Sequence, residues 1–345
     1  MKQLLAILMS AGLAMVLVVS GGSTAVAFQA TPAASGESGA DLQAAMDWLI
    51  GQQDASGAWI GFSGEPEVSI TVDALIALVA AQLRGVDVGT SIDDAVGYLE
   101  SDDGALVYAQ SGIGPAAKLV NGIVAYGGNP SDISGINPLI LVEMGQDTES
   151  GFYGSGVFDH ALSLLALGAT GTEVPEEAIT TLENTRTPEG GWSFDGETAE
   201  GAADSNTTVL VIMGLVAAGL GDSPLVGDAL AYLQTTLVGD TGATFQSGDG
   251  AVADANSTAL VIQAVIAVGD DPGSNGWGDL ESALASFQNE SGAFFYNETD
   301  TSDNLFATAQ AIPAAAGFAL PIVTAPNVEQ PPATPVGFRS GAWAA

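Results

Sequence analysis

The chain has 345 residues, a formal charge of -36 and only five Lys plus Arg, yet 47% of it is hydrophobic. That much apolar material supports a large core and excludes a disordered acidic tail, while the acidic field excludes nucleic acid and anionic membranes as partners. With no cysteine there is no disulfide framework and no thiolate metal site.

Residues 1–27 open with Lys2, continue through an apolar run from Leu4 to Val19 and end at Ala25-Val26-Ala27, the pattern of a cleaved signal peptide. An extracellular protein beginning near Phe28 is expected. Later apolar runs are too short to span a bilayer. Residues 28–40 are small, polar and Pro/Gly-containing, and read as a flexible leader.

From Asp41 the pattern becomes helical. Leu42, Ala45, Met46, Leu49 and Ile50 recur at helical spacing up to Gln52, and Thr71 to Leu83 is apolar nearly all round, which predicts an exposed helix followed by a buried one. The alternation persists. Amphipathic segments 92–100, 136–144, 176–183, 225–233 and 280–287 precede apolar segments 115–126, 158–169, 206–218, 256–268 and 303–315.

Between the two helices of each pair lies a glycine turn, best preserved as Gln53-x3-Gly57-x-Trp59 and again as Gln288-x3-Gly292-x-Phe294. Weaker copies are expected at Gly104-Ala105-Leu106, Gly151-Phe152-Tyr153, Gly191-Trp192 and Gly242-Ala243-Thr244. Glycines 40 to 51 residues apart indicate stacked helix pairs. An open array needs polar capping repeats at its ends. The first and last repeats here are as apolar as the others, so residues 41–323 are expected to close into an all-α (α/α)6 toroid with inner and outer rings of six helices. Residues 324–345 form a Pro-rich tail that straps the ring or hangs free.

The Trp48 to Trp59 segment resembles the glutamine-tryptophan motif of squalene-hopene cyclases, and the repeat resembles the prenyltransferase and squalene oxidase repeat. The segments that begin at Asp204, Asp254 and Asp303 are similar to inner helices of secreted bacterial members and of the cobalamin carriers transcobalamin and intrinsic factor. The resemblance implies the toroid and leaves the activity open. No Asp-x-Asp-Asp acid motif is present. One histidine and no cysteine cannot build the Asp/Cys/His zinc site of protein prenyltransferases or the thioester of complement-type domains.

Polar residues at the starts of the inner helices are the candidate site. Thr71, Asp73, Asp159, His160, Asp204, Asn206, Asp254, Asn256, Asp303 and Asn304 are expected around one mouth of the central cavity, where N-capping competes with ligand contact as their role. His160 aligns with Thr258 and is a candidate axial ligand to a corrin cobalt or a general base. Lys118, the single lysine after Lys2, suits an anionic group or an ion pair with a rim aspartate.

The resulting expectation is a secreted, non-catalytic toroid that binds a corrinoid-like or hydrophobic small molecule, with no catalytic residues and no metal site. Three alternatives stand beside it: a carbohydrate hydrolase or lyase with two rim carboxylates, a cyclase- or prenyltransferase-like enzyme with a divergent site, and a cell-surface adhesion module with divalent-cation contacts.

Overall fold

A computed structural model describes residues 39–101 and 103–324. The signal-peptide and leader segments up to residue 38, and the tail from residue 325, lie outside the described residues.

The chain is all-α with two small hairpins. Six apolar helices form the inner ring: α2 (Val68–Leu83), α5 (Ile113–Ala125), α7 (Val157–Thr170), α9 (Ser205–Ala217), α11 (Ala255–Ala267) and α13 (Leu305–Ala315). Each packs on the next, and α13 packs on α2. The ring is closed. Outside it lie α1 (Leu42–Gly51), α3 (Ser91–Ser101), α6 (Pro138–Glu143), α8 (Glu176–Thr185), α10 (Pro224–Tyr232) and α12 (Leu280–Ser286). Their amphipathic sequences bury one face, as with Ala45, Met46 and Leu49 of α1, against an inner helix that is buried all round.

The turn motif explains why the hairpins join. Gln53 donates from Nε2 to the Gly57 carbonyl (2.8 Å) and across to Ser91 O (3.0 Å), the first residue of the next outer helix. Gln288 repeats this with Gly292 O (2.9 Å) and Asp41 O (2.8 Å), while the Asp41 N–H donates back to Gln288 Oε1 (2.7 Å). Repeat six therefore grips repeat one as repeat one grips repeat two. At the opposite face, Arg84 Nε at the end of α2 donates to Ala316 O just beyond α13 (2.6 Å).

The aromatics seal each hairpin. Trp59 and Trp192 are fully buried, and their indole N–H groups donate to Leu49 O (2.9 Å) and Leu182 O (2.8 Å), carbonyls in the last turns of α1 and α8.

Two local expectations are corrected, and repeat five carries an added element. Gly104 makes no turn; it begins a further helix, α4 (Gly104–Gln110), because Ala105 and Ala109 bury at i and i+4 and give the segment a helical face. In repeat four the residue with positive φ is Gly190 (104°), one before the expected Gly191, since Gly190 meets the Asp228 carbonyl of α10. In repeat five α10 runs into a π turn (Leu233–Leu237), and Val238–Gly239 pairs with Gly242–Ala243 to return the chain to α11.

Past α13 the chain crosses the C-terminal ends of the inner helices, and Thr324 Oγ1 donates to Ala125 O at the end of α5 (2.7 Å). This crossing places Leu320 beneath the ring.

Candidate functional site: the central chamber

The inner helices enclose a chamber of about 200 Å³. Its wall is mostly apolar, formed by Ile76, Phe158, Leu162, Leu210, Leu260 and Pro313, with Leu320 as its floor. Five polar side chains interrupt it from the middle of helices: Asp73 on α2, Lys118 and Asn121 on α5, Gln263 on α11 and Gln310 on α13.

Lys118 Nζ donates to Asp73 Oδ2 (2.7 Å) and to Ser69 Oγ (3.0 Å). The two side chains are only 20% and 17% exposed, so this pair sits in a weakly screened setting. Burial disfavours the ammonium, but the Asp73 carboxylate, the Tyr108 oxygen and the hydrogen bond to Asp73 together outweigh it. Lys118 is held above the ordinary lysine pKa. Burial in turn raises the Tyr108 phenol, against the opposing pull of Lys118.

Above the chamber the space widens into a mouth of about 380 Å³, lined by Phe62, Phe245, Tyr296 and Phe306 and by Asn206, Asn256, Asn304 and Gln310. Asn206 and Gln310 belong to both spaces. Phe62 is 88% exposed and stacks on Phe306 with ring centroids 4.0 Å apart. Phe158 lies 5.1 Å from Phe194. Asn256 Nδ2 donates to Gln310 Oε1 (2.8 Å), which ties α11 to α13 at the rim.

The expected rim residues divide into two groups. Asp73, Lys118, Asn206, Asp254, Asn256 and Asn304 line the chamber or its mouth. Asp254 and Asn304 are also N-caps, accepting from Ser257 N (2.8 Å) and Ala307 N (3.0 Å), and the second Asp254 oxygen takes the Ser257 hydroxyl (2.8 Å). Asp204 caps α9 through Thr207 N (2.7 Å). Burial raises the pKa of Asp204 and of Asp254.

The remaining residues face elsewhere. Thr71 lies a turn inside α2, which begins at Val68, and accepts from the Trp59 N–H (3.1 Å). Asp159 holds Ser155 through its backbone N–H (3.0 Å) and hydroxyl (2.9 Å). Asp303 belongs to an exposed strand and accepts from Asn289 Nδ2 (2.8 Å) and Ser291 Oγ (2.9 Å).

His160 has a structural role. It is fully buried; Nδ1 accepts from Tyr153 N (3.0 Å), and Nε2 therefore carries the proton donated to Ala178 O (3.0 Å). Neither nitrogen is left for a metal or a proton relay. In four of the other repeats threonine does the first of these jobs: Thr71 accepts from Trp59 N, Thr208 from Trp192 N, Thr258 from Ala243 N and Thr308 from Phe294 N. The signal was present in the sequence as a threonine one turn into most inner helices.

Burial pulls the His160 pKa from 6.5 down to about 4, against the smaller opposing effect of the Ala178 carbonyl. The folded chain thus binds this proton less readily than the unfolded chain. Stability is complete above the unfolded pKa and is lost as pH falls towards the folded one. Denaturant unfolding at about pH 7 and about pH 4 should show a loss of roughly 3 kcal/mol from this group, absent in His160→Thr. An unchanged acid loss in that variant would contradict the assignment.

Among the described residues no group of three or more His, Cys, Asp or Glu is placed to hold a metal ion, and no helix is long and apolar enough to cross a membrane.

No protein-family profile and no curated protein sequence matches the chain. Solved structures do. A variant of the type II terpene cyclase MstE from Scytonema, bound to geranylgeranyl dihydroxybenzoate, superposes with a TM-score of 0.60 at 13% identity, covering 80% of this chain and 95% of that one. A protein from Actinoplanes gives 0.55 at 15% identity, covering 79% and 97%. A glycosidase variant in complex with glucose gives 0.52 at 12% identity, covering 81% and 96%. The α/α toroid is shared with terpene cyclases and glycosidases; at these identities the likeness concerns the fold.

Proposed function

We propose that the chain is an exported enzyme of the α/α-toroid type that takes a small, largely apolar molecule into the central chamber and moves a proton on it. Asp73 is the proton acceptor. Lys118 stands beside it as the fixed cation, with two of its three N–H donors committed and the third available to negative charge that develops on the substrate.

The observation that carries this reading is the contrast within one wall: a single ion pair, mostly buried, set among apolar side chains. A charged pair in such a place costs desolvation and is weak evidence for stability. Perturbed titratable groups in a cavity are instead a frequent mark of catalysis. The Gln-x3-Gly-x-aromatic turns, similar to the prenyltransferase and squalene oxidase repeat, support the same direction.

Glycoside cleavage by two rim carboxylates is less well supported. Asp204 and Asp254 have raised pKa values, but both Asp254 oxygens and one Asp204 oxygen are taken by their own helices. Corrinoid carriage loses the one ligand suggested for it, since both His160 nitrogens bond to the backbone.

Incubating the protein with pooled apolar metabolites and following them by mass spectrometry tests the proposal. A substrate should disappear and a product accumulate, with at least a hundredfold loss of rate in Asp73→Asn, the scale of general acid–base catalysis. A pool left unchanged by the wild type, or consumed equally by the variant, would refute it. Export predicts that protein recovered from the medium begins near Phe28; an intact Met1 there would refute that part.

A further inference from the structure

Two amide oxygens in the chamber wall have no partner. Asn121 Oδ1 and Gln263 Oε1 are buried without a hydrogen bond, in side chains that are only 4% and 2% exposed. Leaving a buried acceptor unmade is costly, so each such group calls for an explanation.

The orientation of both amides follows from their other ends. Asn121 Nδ2 donates to Leu162 O (3.3 Å), and Gln263 Nε2 points to Gln310 O (3.5 Å). Both partners are carbonyls and accept only, so the amide nitrogens face them and the oxygens are turned away. Flipping either amide would set oxygen against oxygen.

Their placement in the ring adds a second constraint. Asn121 is on α5 and Gln263 on α11, the second and fifth of six helices in a closed circuit, so they stand on opposite sides of the chamber. Between them the wall is mostly apolar, interrupted by the Asp73–Lys118 pair and by Asn206 and Gln310.

We infer that the chamber is built for a neutral molecule with an apolar body and a hydroxyl or amine hydrogen-bond donor at each of two opposite ends, one meeting Asn121 Oδ1 and the other Gln263 Oε1. This rests on the reading of the chamber as the substrate site and specifies the class of molecule it takes. A site built to accept a donor discriminates strongly against an analogue that lacks it, because the wall oxygen is then left unpaired.

A medium-chain alkanediol with a hydroxyl at each end, the mono-alcohol of the same chain and the dimethyl ether of the diol form the test set. Their dissociation constants are measured by calorimetry on the full chain. The diol should bind roughly five- to tenfold more tightly than the mono-alcohol, and the ether, which has no donor, most weakly of the three. Asn121→Leu and Gln263→Leu should each erase one step of that series, while Leu162→Ala, which changes only apolar wall, should weaken all three ligands alike. If the ether binds wild type as well as the diol, water satisfies the two oxygens and the inference falls, while the substrate-chamber reading survives. If none of the three enters, both fall. The wild-type comparison decides between these outcomes even if a variant fails to fold.

Discussion

Gly292→Ala is expected to remove about 3 kcal/mol of stability and lower the melting temperature by about 10 °C. The turn glycine has φ of 92°, where a Cβ is strained in itself. Here that Cβ would also fall 2.1 Å from the Ala44 carbonyl oxygen and 2.4 Å from its carbon, both backbone atoms of α1. No side-chain rotation relieves such a clash. The first and last repeats would have to separate, and the Gln288 bonds to Asp41 would go with them. Gly219→Ala is the control, since its φ of 78° imposes the same strain with nothing near the added atom. It should cost about 1 kcal/mol. Equal losses in the two variants, read by differential scanning calorimetry, would mean that the seam bears no special load.

Trp192→Ala should cost still more, about 4 kcal/mol. The side chain is fully buried between α8 and α9, so truncation leaves a cavity and also strands the Leu182 carbonyl that its indole satisfies. Trp192→Phe fills most of the space and loses chiefly the hydrogen bond, so about 1 to 2 kcal/mol is expected. Denaturant titrations give both numbers. An alanine variant as stable as the phenylalanine one would show that the cavity had collapsed and that the packing argument is wrong.

Much of the fold was legible in the sequence because the repeat unit writes its own geometry. A glycine is required where the turn lies against the neighbouring outer helix: Gly57 on Asp94, Gly151 on Glu177 and Gly292 on Ala44 show the same approach. An aromatic is required two residues later to fill the hairpin. Helices apolar all round can only be inner ones.

What was missed follows equally physical lines. The helix at Gly104 was hidden because glycine there matched the repeat spacing while its neighbours Ala105 and Ala109 carried a helical pattern that spacing alone does not register. His160 attracted attention as a titratable residue, but its alignment with Thr258 carried the better clue: both are hydrogen-bond acceptors for a turn N–H.

The search for the site at helix starts found caps as well as cavity residues, because aspartate and asparagine favour both places. The chamber is instead marked in mid-helix. Asn121 interrupts the run from Leu119 to Ala125 and Gln263 the run from Ala259 to Ala267, positions where an amide costs burial energy and has no capping role. Lys118 was singled out as a lone cation, and its partner Asp73 stood among the expected rim residues; only the packing of α2 on α5 makes them a pair.

Closure of the ring governs all of this, since without it there is no chamber for Asp73, Lys118, Asn121 and Gln263 to share. Amide hydrogen exchange resolved by helix reads closure directly, because the end repeats of an open stack open locally and exchange first. With repeat six fastened to repeat one, α2 and α13 should be protected as strongly as α7 and α9. Exchange in α2 and α13 that runs orders of magnitude faster than in α7 and α9 would contradict a closed toroid.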